Sequence, residues 1–166
     1  VSLMQVVKEM DAGAVADCKR LSIENVDTSS SVRSKVGQAV ITLLERNLKA
    51  SLLGALTLLP QNASLATQCR KIRKEDGALD FAQPAASIDA RLRAFTPWPG
   101  GYFDHGETRI KVGKCSLAEP ITSAQPGSVI VAGEILDVAT GMGLLRIHEL
   151  QRPGGRMLPA SDFLRG

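Results

Sequence analysis

The stretch Arg91-Leu92-Arg93-Ala94-Phe95-Thr96-Pro97-Trp98-Pro99-Gly100-Gly101-Tyr102-Phe103 constrains this chain more than any other. It holds the only Trp, the only Tyr, two of the four Phe and two of the eight Pro. A helical pattern enters it and strand-like alternation leaves it. Proline lacks an amide hydrogen and has a fixed φ, so Pro97 and Pro99 end the helix. Gly100 and Gly101 supply the backbone freedom for a sharp reversal. The stretch is therefore a corner where a helix hands over to a sheet, and its aromatics are expected to seal it.

Upstream of the corner the pattern is α/β. Val1 to Val7 is almost wholly apolar, which predicts a strand buried on both faces of a parallel sheet. A polar loop, Lys8-Glu9-Met10-Asp11-Ala12-Gly13, follows, and a weaker strand is expected over Cys18 to Ile23. Asp27, Thr28 and Ser29 offer N-caps for a long helix to about Leu53, with Gly54 as its C-cap. Val32, Val36, Ala39 and Leu43 form an apolar stripe, widened by Val40, Leu44 and Leu48, and a stripe that broad belongs against a sheet. Around Pro60-Gln61-Asn62 the pattern fades into a linker. Pro84 fits the first turn of a short helix on which Ala85, Ile88, Leu92 and Phe95 share a face and Asp89 can pair with Arg93.

Downstream of the corner the chain reads as strand. Asp104 to Glu107 is a turn, and Thr108, Ile110 and Val112 alternate with Arg109 and Lys111, giving one buried and one basic face. Pro126-Gly127 precedes a strand over Ser128 to Ala132. Ile135–Ala139 and Leu144–Leu150 pair across Thr140-Gly141-Met142-Gly143, and Ala160 to Leu164 is a last helical turn. Short strands with frequent turns predict a small closed barrel.

With 166 residues the chain can bury a core as one domain or two small ones. No apolar run reaches membrane-span length, and the N-terminus lacks a signal-peptide pattern. It also lacks an initiator Met, so the chain reads as truncated. Cys18, Cys69 and Cys115 are odd in number and far apart, which fits a reducing compartment and neither a disulfide framework nor a CxxC metal site. The net charge of +3 is compatible with an anionic partner without demanding one.

There is no P-loop, no Ser-His-Asp signature and no metal-ligand spacing. His105 reads as a solvated turn residue, and His148 as an outward-facing structural one. Asp11 stands after a strand in an α/β pattern, where ligands bind and a carboxylate can orient a water or a proton-bearing group. The plain reading of a loop Asp near a Gly stands ahead of that one. Arg70, Lys71, Arg73 and Lys74 put four cations in five positions and, on a helix, would cover one side with Ile72 turned away. Phosphate binding and a solvated face partly neutralised by Glu75 and Asp76 weigh equally. Trp98, Tyr102 and Phe103 could stack on bases, though a Pro- and Gly-flanked corner more often buries them.

Three blocks carry a further signal. Lys71 to Phe81 (KIRKEDGALDF), Arg93 to Gly101 (RAFTPWPGG), and Leu150-Gln151 with Gly154 to Leu164 (GGRMLPASDFL) resemble the methionyl-tRNA formyltransferase family in order and spacing. Met4-Gln5 and Met10-Asp11-Ala12-Gly13 extend the resemblance to the N-terminus. It implies an α/β plus β architecture: residues 1–57 as the tail end of a Rossmann-like catalytic domain, 58–74 as a linker, and 75–166 as a small OB-like β-barrel that binds tRNA. It implies transfer of a formyl group from 10-formyltetrahydrofolate, without a metal, to the amino group of methionine on initiator tRNA. Asp11 would be the catalytic carboxylate. Val7, Met10 and Asp11 would line the folate pocket, and Arg70, Lys71, Arg73, Lys74, Arg109 and Lys111 would face tRNA. The family further implies a monomer; no membrane association is expected, and of the two compartments that fit, the short loops favour bacterial cytoplasm over the mitochondrial matrix.

Two departures stand out. Glu9 replaces the usual glycine before the catalytic Asp, and Ala14 follows the Asp-Ala-Gly turn. The family's Asn and His are not in this sequence, so the chain reads as a C-terminal portion that is inactive by itself. The rivals are a sister enzyme, either one formylating an amino sugar nucleotide or a folate hydrolase or dehydrogenase, and a non-catalytic RNA-binding barrel.

Overall fold

The structure is a computed structural model that describes residues 1–119 and 123–166. Two compact units emerge: Val1–Glu24 with Ser30–Lys71, and Asn25–Ser29 with Ile72–Gly166.

In the first unit, β1 (Ser2–Met4) and β2 (Val15–Cys18) pair antiparallel, with Ser2 opposite Cys18 and Leu3 opposite Asp17. The parallel, doubly buried strand expected over Val1 to Val7 is not formed. Its second half leaves the ladder, and Val6 is 94% exposed. The reason is local: residues 5–14 turn the chain back on itself, and a connection that short joins antiparallel neighbours, whereas parallel ones need a longer crossover. The second strand also comes earlier than Cys18–Ile23, because Val15 exchanges both backbone bonds with Leu59 (2.8 and 2.9 Å). The start of the expected linker is thus paired to β2.

Helix α1 (Ser29–Leu52) runs as its caps predict. Gly54 adopts φ 65°, its N–H donates to Ser51 O, and the Ala55 N–H donates to Ala50 O. That pair of bonds closes the helix as a left-handed residue at this position should. Only Ala39 and Leu43 of the apolar stripe are buried, while Val40, Leu44 and Leu48 stay exposed. A two-stranded ribbon is too narrow to cover the wide stripe that a full sheet would take. At the ribbon, Asn47 donates to Asp17 Oδ2 at 2.7 Å and Arg46 pairs with the same oxygen at 2.8 Å. These bonds, that from Asn47 first, hold the Asp17 carboxyl below its ordinary pKa.

The second unit is built on α2 (Ala85–Phe95) and an antiparallel sheet of β3 (Gly101–His105), β4 (Thr108–Ala118), β5 (Val129–Ala132), β6 (Leu136–Ala139), β7 (Leu144–Gln151) and β8 (Leu158–Pro159). Its order is β3-β4-β7-β6-β5, with β8 beside β7. Among the described residues β3 and β5 remain the two ends of this order, so the sheet is mixed with helices in a small α/β unit and no pairing closes it into the expected barrel. Helix α3 (Ala160–Arg165) ends the chain, with Arg152 donating to the carbonyls of Phe163 and Gly166.

The core is Ile88 and Leu92 of α2 against Ile110, Val112, Leu136, Val138, Leu145, Ile147 and Leu150, with Phe163 from α3. Each fully buried Ile or Leu side chain here contributes about 1.5–3 kcal/mol of transfer free energy. Close approach sets where glycine is needed. A Cβ on Gly141 would lie 1.9 Å from the Ala82 carbonyl oxygen, and one on Gly101 would lie 2.4 Å from Leu92 Cδ1.

Gly141→Ala is expected to lower stability by about 1–3 kcal/mol, because the obstacle is backbone. Gly37, in mid-helix, has open space around its would-be Cβ, so Gly37→Ala should raise stability by about 0.5–1 kcal/mol. Urea unfolding midpoints check both signs.

Candidate functional site

The loop between β1 and β2 carries the expected catalytic and folate-lining residues. Asp11 has φ 54°, a left-handed conformation in which Asp is one of the few tolerated side chains. The loop is held from beneath. The Gln61 side-chain amide donates to Asp11 O at 2.8 Å and to Gly13 O at 2.7 Å, and the Gln5 N–H donates to Ala14 O. A Cβ on Gly13 would sit 1.8 Å from Gln5 O, so this glycine is required whatever stands at positions 9 and 14. The turn directs Met10 and Asp11 outward: Met10 is 89% exposed, and Val7 is 40% exposed. Apolar side chains next to a carboxylate on one raised turn could flank a flat, partly polar ring system. Sequence reasoning missed Gln61, which sits inside the expected linker; its amide is suited to bridging two carbonyls, but nothing in the spacing announces the pairing.

The basic residues divide into two groups. Arg70 and Lys71 end the first unit, and Arg73 and Lys74 lie in the second. They do not share an α-helix. The Asp76 carboxylate accepts the Arg73 N–H at 2.7 Å and starts a short 3-10 turn over Lys74–Gly77, with Arg73 itself extended, and all four cations are exposed. Ile72 is exposed too and is not turned away into a core.

Arg109 and Lys111 stand on the outward face of β4, as the alternation predicts, with Tyr102 and Asp104 opposite them on β3. Arg109 forks onto Asp104 (3.0 and 3.3 Å) and lies 3.9 Å above the Tyr102 ring. The Arg109 hydrogen bond holds Asp104 below its ordinary pKa, and the same contact raises that of Arg109. Arg91 joins this region unpredicted: it donates to Asp76 O and lies over the Phe95 ring at 4.9 Å. The sequence signal was its place on α2 beside Leu92, on the flank of the buried face. Trp98 is not sealed into the corner but is 55% exposed. His105 is exposed, and His148 shares a 2.8 Å hydrogen bond with Ser116.

A cleft of about 830 Å³ opens beside α2, lined among others by Asn25, Val26, Asp89, Arg93, Lys114 and Cys115. Asp89 takes Arg93 Nε at 2.9 Å, the pair read from the helix spacing. Its other oxygen accepts the Cys115 thiol at 3.6 Å. Burial first, and the Asp89 charge second, push the Cys115 thiol up to about 12, so it is a protonated donor and no nucleophile. Among the described residues no three His, Cys, Asp or Glu side chains converge as a metal site, and no helix is long and apolar enough to cross a membrane.

Residues 71–166 match the family described as formyl transferase, C-terminal domain. Over the whole chain, methionyl-tRNA formyltransferases from Paraburkholderia phymatum, Delftia acidovorans and Myxococcus xanthus are 35%, 38% and 37% identical. The chain spans about half the length of these curated relatives: 51%, 52% and 53%. Among solved structures, HypX from Aquifex aeolicus in complex with tetrahydrofolic acid matches 98% of this chain and 29% of its own length, at TM-score 0.72 and 19% identity. An N-formyltransferase from Helicobacter canadensis, solved with folinic acid and dTDP-3-aminofucose, matches 91% of this chain and 54% of its own, at TM-score 0.65 and 16% identity. At these identities the structural likeness is one of fold alone.

The thiol arrangement gives a direct check. Cys18 and Cys69 are exposed and Cys115 is buried, so a thiol reagent near pH 8 should label the first two promptly and Cys115 only on unfolding. A raised folded pKa contributes stability that is present below the unfolded value of 9.0 and is lost as pH rises towards about 12. Unfolding midpoints should therefore fall across that alkaline window, and Cys115→Ala should remove this part of the slope.

Proposed function

The chain belongs to the formyl transferase C-terminal domain family, and from that premise we propose that it is the RNA-facing half of an enzyme that formylates the methionine of initiator tRNA. The observation that carries this reading is the set of curated methionyl-tRNA formyltransferases 35–38% identical across the whole chain. The amino-sugar reading has only fold-level likeness behind it. In this proposal residues 1–57 close the catalytic domain, 58–74 lead out of it, and 75–166 bind tRNA as an OB-like module.

The loop residues fit a folate co-substrate. Val7 and Met10 offer exposed apolar surface for the ring system, and Asp11 stands on the same Gln61-braced turn. When bound, 10-formyltetrahydrofolate supplies an activated formyl carbon for the methionine amine to attack. The task of Asp11 would be proton handling: as the amine's new C–N bond forms and the formyl carbon's bond to the folate nitrogen breaks, the proton the amine sheds must reach that leaving nitrogen, and a carboxylate in hydrogen-bond reach can orient the group that carries it. The left-handed turn and the Gln61 brace fix where that carboxylate points. In this proposal Asn and His donors from the other half of the enzyme complete the site.

The basic side supplies binding energy through phosphates and not base readout. Arg70, Lys71, Arg73 and Lys74 are all exposed, the last at the start of the 3-10 turn, and Lys111 lies on the same outer face of β4 as Arg109. Arg109 is already occupied by Asp104.

The test is formyl transfer by an enzyme of the relatives' length that carries this chain as its C-terminal half, offered charged initiator tRNA and an amino sugar nucleotide separately. Formyl should appear on tRNA alone, and Asp11→Asn should lower the rate by 10² or more. Formyl on the sugar alone would overturn the reading. Asp104→Asn, which releases Arg109, should strengthen tRNA binding by up to about five-fold at low salt, read in an equilibrium binding titration.

A further inference from the structure

The fold covers every aromatic ring in this chain except one. Phe81 and Phe103 meet edge to face at 5.7 Å. Tyr102, Phe95 and Phe163 each lie under an arginine. Trp98 is more than half exposed, although an indole gains more than almost any side chain from leaving water. Its exposure is built in. Pro97 and Pro99 restrict the backbone on either side. The Thr96 N–H donates to Arg93 O, and the Gly100 N–H to Phe95 O at 2.9 Å, closing the corner against the end of α2. The carbonyl of Gly100 abuts Gly77, where a Cβ would lie 2.2 Å from it.

That last contact places the corner on the turn Lys74–Gly77, and Arg91 ties the same turn to α2 through Asp76 O. The segments around Trp98 are rich in cations. Arg73, Lys74, Arg91, Arg109 and Lys111 outnumber Glu75, Asp76, Asp104 and Glu107. A protein surface or a membrane would ask for an apolar patch around the indole, and these segments are charged. A flat apolar face beside surplus positive charge suits a ligand that joins an exposed ring to phosphates. A duplex hides the faces of its bases, whereas an unpaired nucleotide offers one.

We propose that Trp98 is a stacking platform for an unpaired base of RNA, with the neighbouring phosphates held by Arg73 and Lys74. The proposal rests on the RNA-binding reading above and adds to it a preference for single-stranded over duplex segments.

Trp98 is the only Trp of the chain, so its fluorescence reports the site without ambiguity. The 166-residue chain would be titrated at low salt with a short oligoadenylate strand and with a blunt-ended RNA duplex. The strand should quench Trp98 saturably and the duplex should not. Trp98→Ala, a change at an exposed position, should weaken strand binding roughly ten-fold and leave duplex binding unchanged, and Trp98→Phe should retain most of the affinity. Strand binding without a change in Trp98 fluorescence, or with equal affinity in Trp98→Ala, would overturn the stacking proposal and leave the phosphate reading standing. Failure of both RNAs to bind would overturn both.

Discussion

The packing of α2 onto β4 and β7 through Ile88 and Leu92 is the contact on which the rest of the second unit depends. It is possible only because Gly101 has no side chain, since a Cβ there would meet Leu92 at 2.4 Å. With α2 seated, the chain must turn sharply after Phe95 to enter β3, and the Pro-Trp-Pro-Gly-Gly sequence makes that turn. The turn holds Trp98 outward and brings Gly100 onto Gly77, which places the Lys74–Gly77 segment. Leu79 then joins β3 by donating to Tyr102 O at 2.8 Å. One apolar contact thus fixes the position of the basic segments relative to the outer face of the sheet.

Much of this was legible because it is local. The ends of α1 and α2, the Gly54 cap, the Asp89–Arg93 pair and the hairpin through Thr140 to Gly143 follow from caps, spacing and turn chemistry within a few residues. The basic outer face of β4 follows from strict alternation. The misreadings are of another kind. Val1 to Val7 has the composition of a buried parallel strand, but composition does not say which strand is its neighbour, and the loop at Asp11 turns it into a hairpin. Arg70 to Lys74 could be helical by propensity, but the Asp76 carboxylate captures the Arg73 N–H first. Trp98 was expected inside because indoles usually are, yet the corner's geometry outweighs that preference. Gln61 and Cys115 act through partners about fifty and about twenty-six residues away, and no periodicity encodes such contacts.

For the candidate site, the residue types were readable and their arrangement was not. Asp11 was found as a carboxylate in a loop; that it sits on a left-handed, amide-braced turn is visible only in the fold. The cations were found by type and alternation; that one of them, Arg109, is committed to Asp104 and Tyr102 is visible only in the fold. A guanidinium paired with a carboxylate attracts a further anion less than an unpaired one would.

The most direct measurement is the salt dependence of initiator tRNA binding by this chain. The account predicts that affinity falls steeply and linearly in a plot of log K against log salt, and that Lys111→Ala reduces the slope by about 1. Binding that stays level as ionic strength rises, or a slope indifferent to these cations, would contradict it.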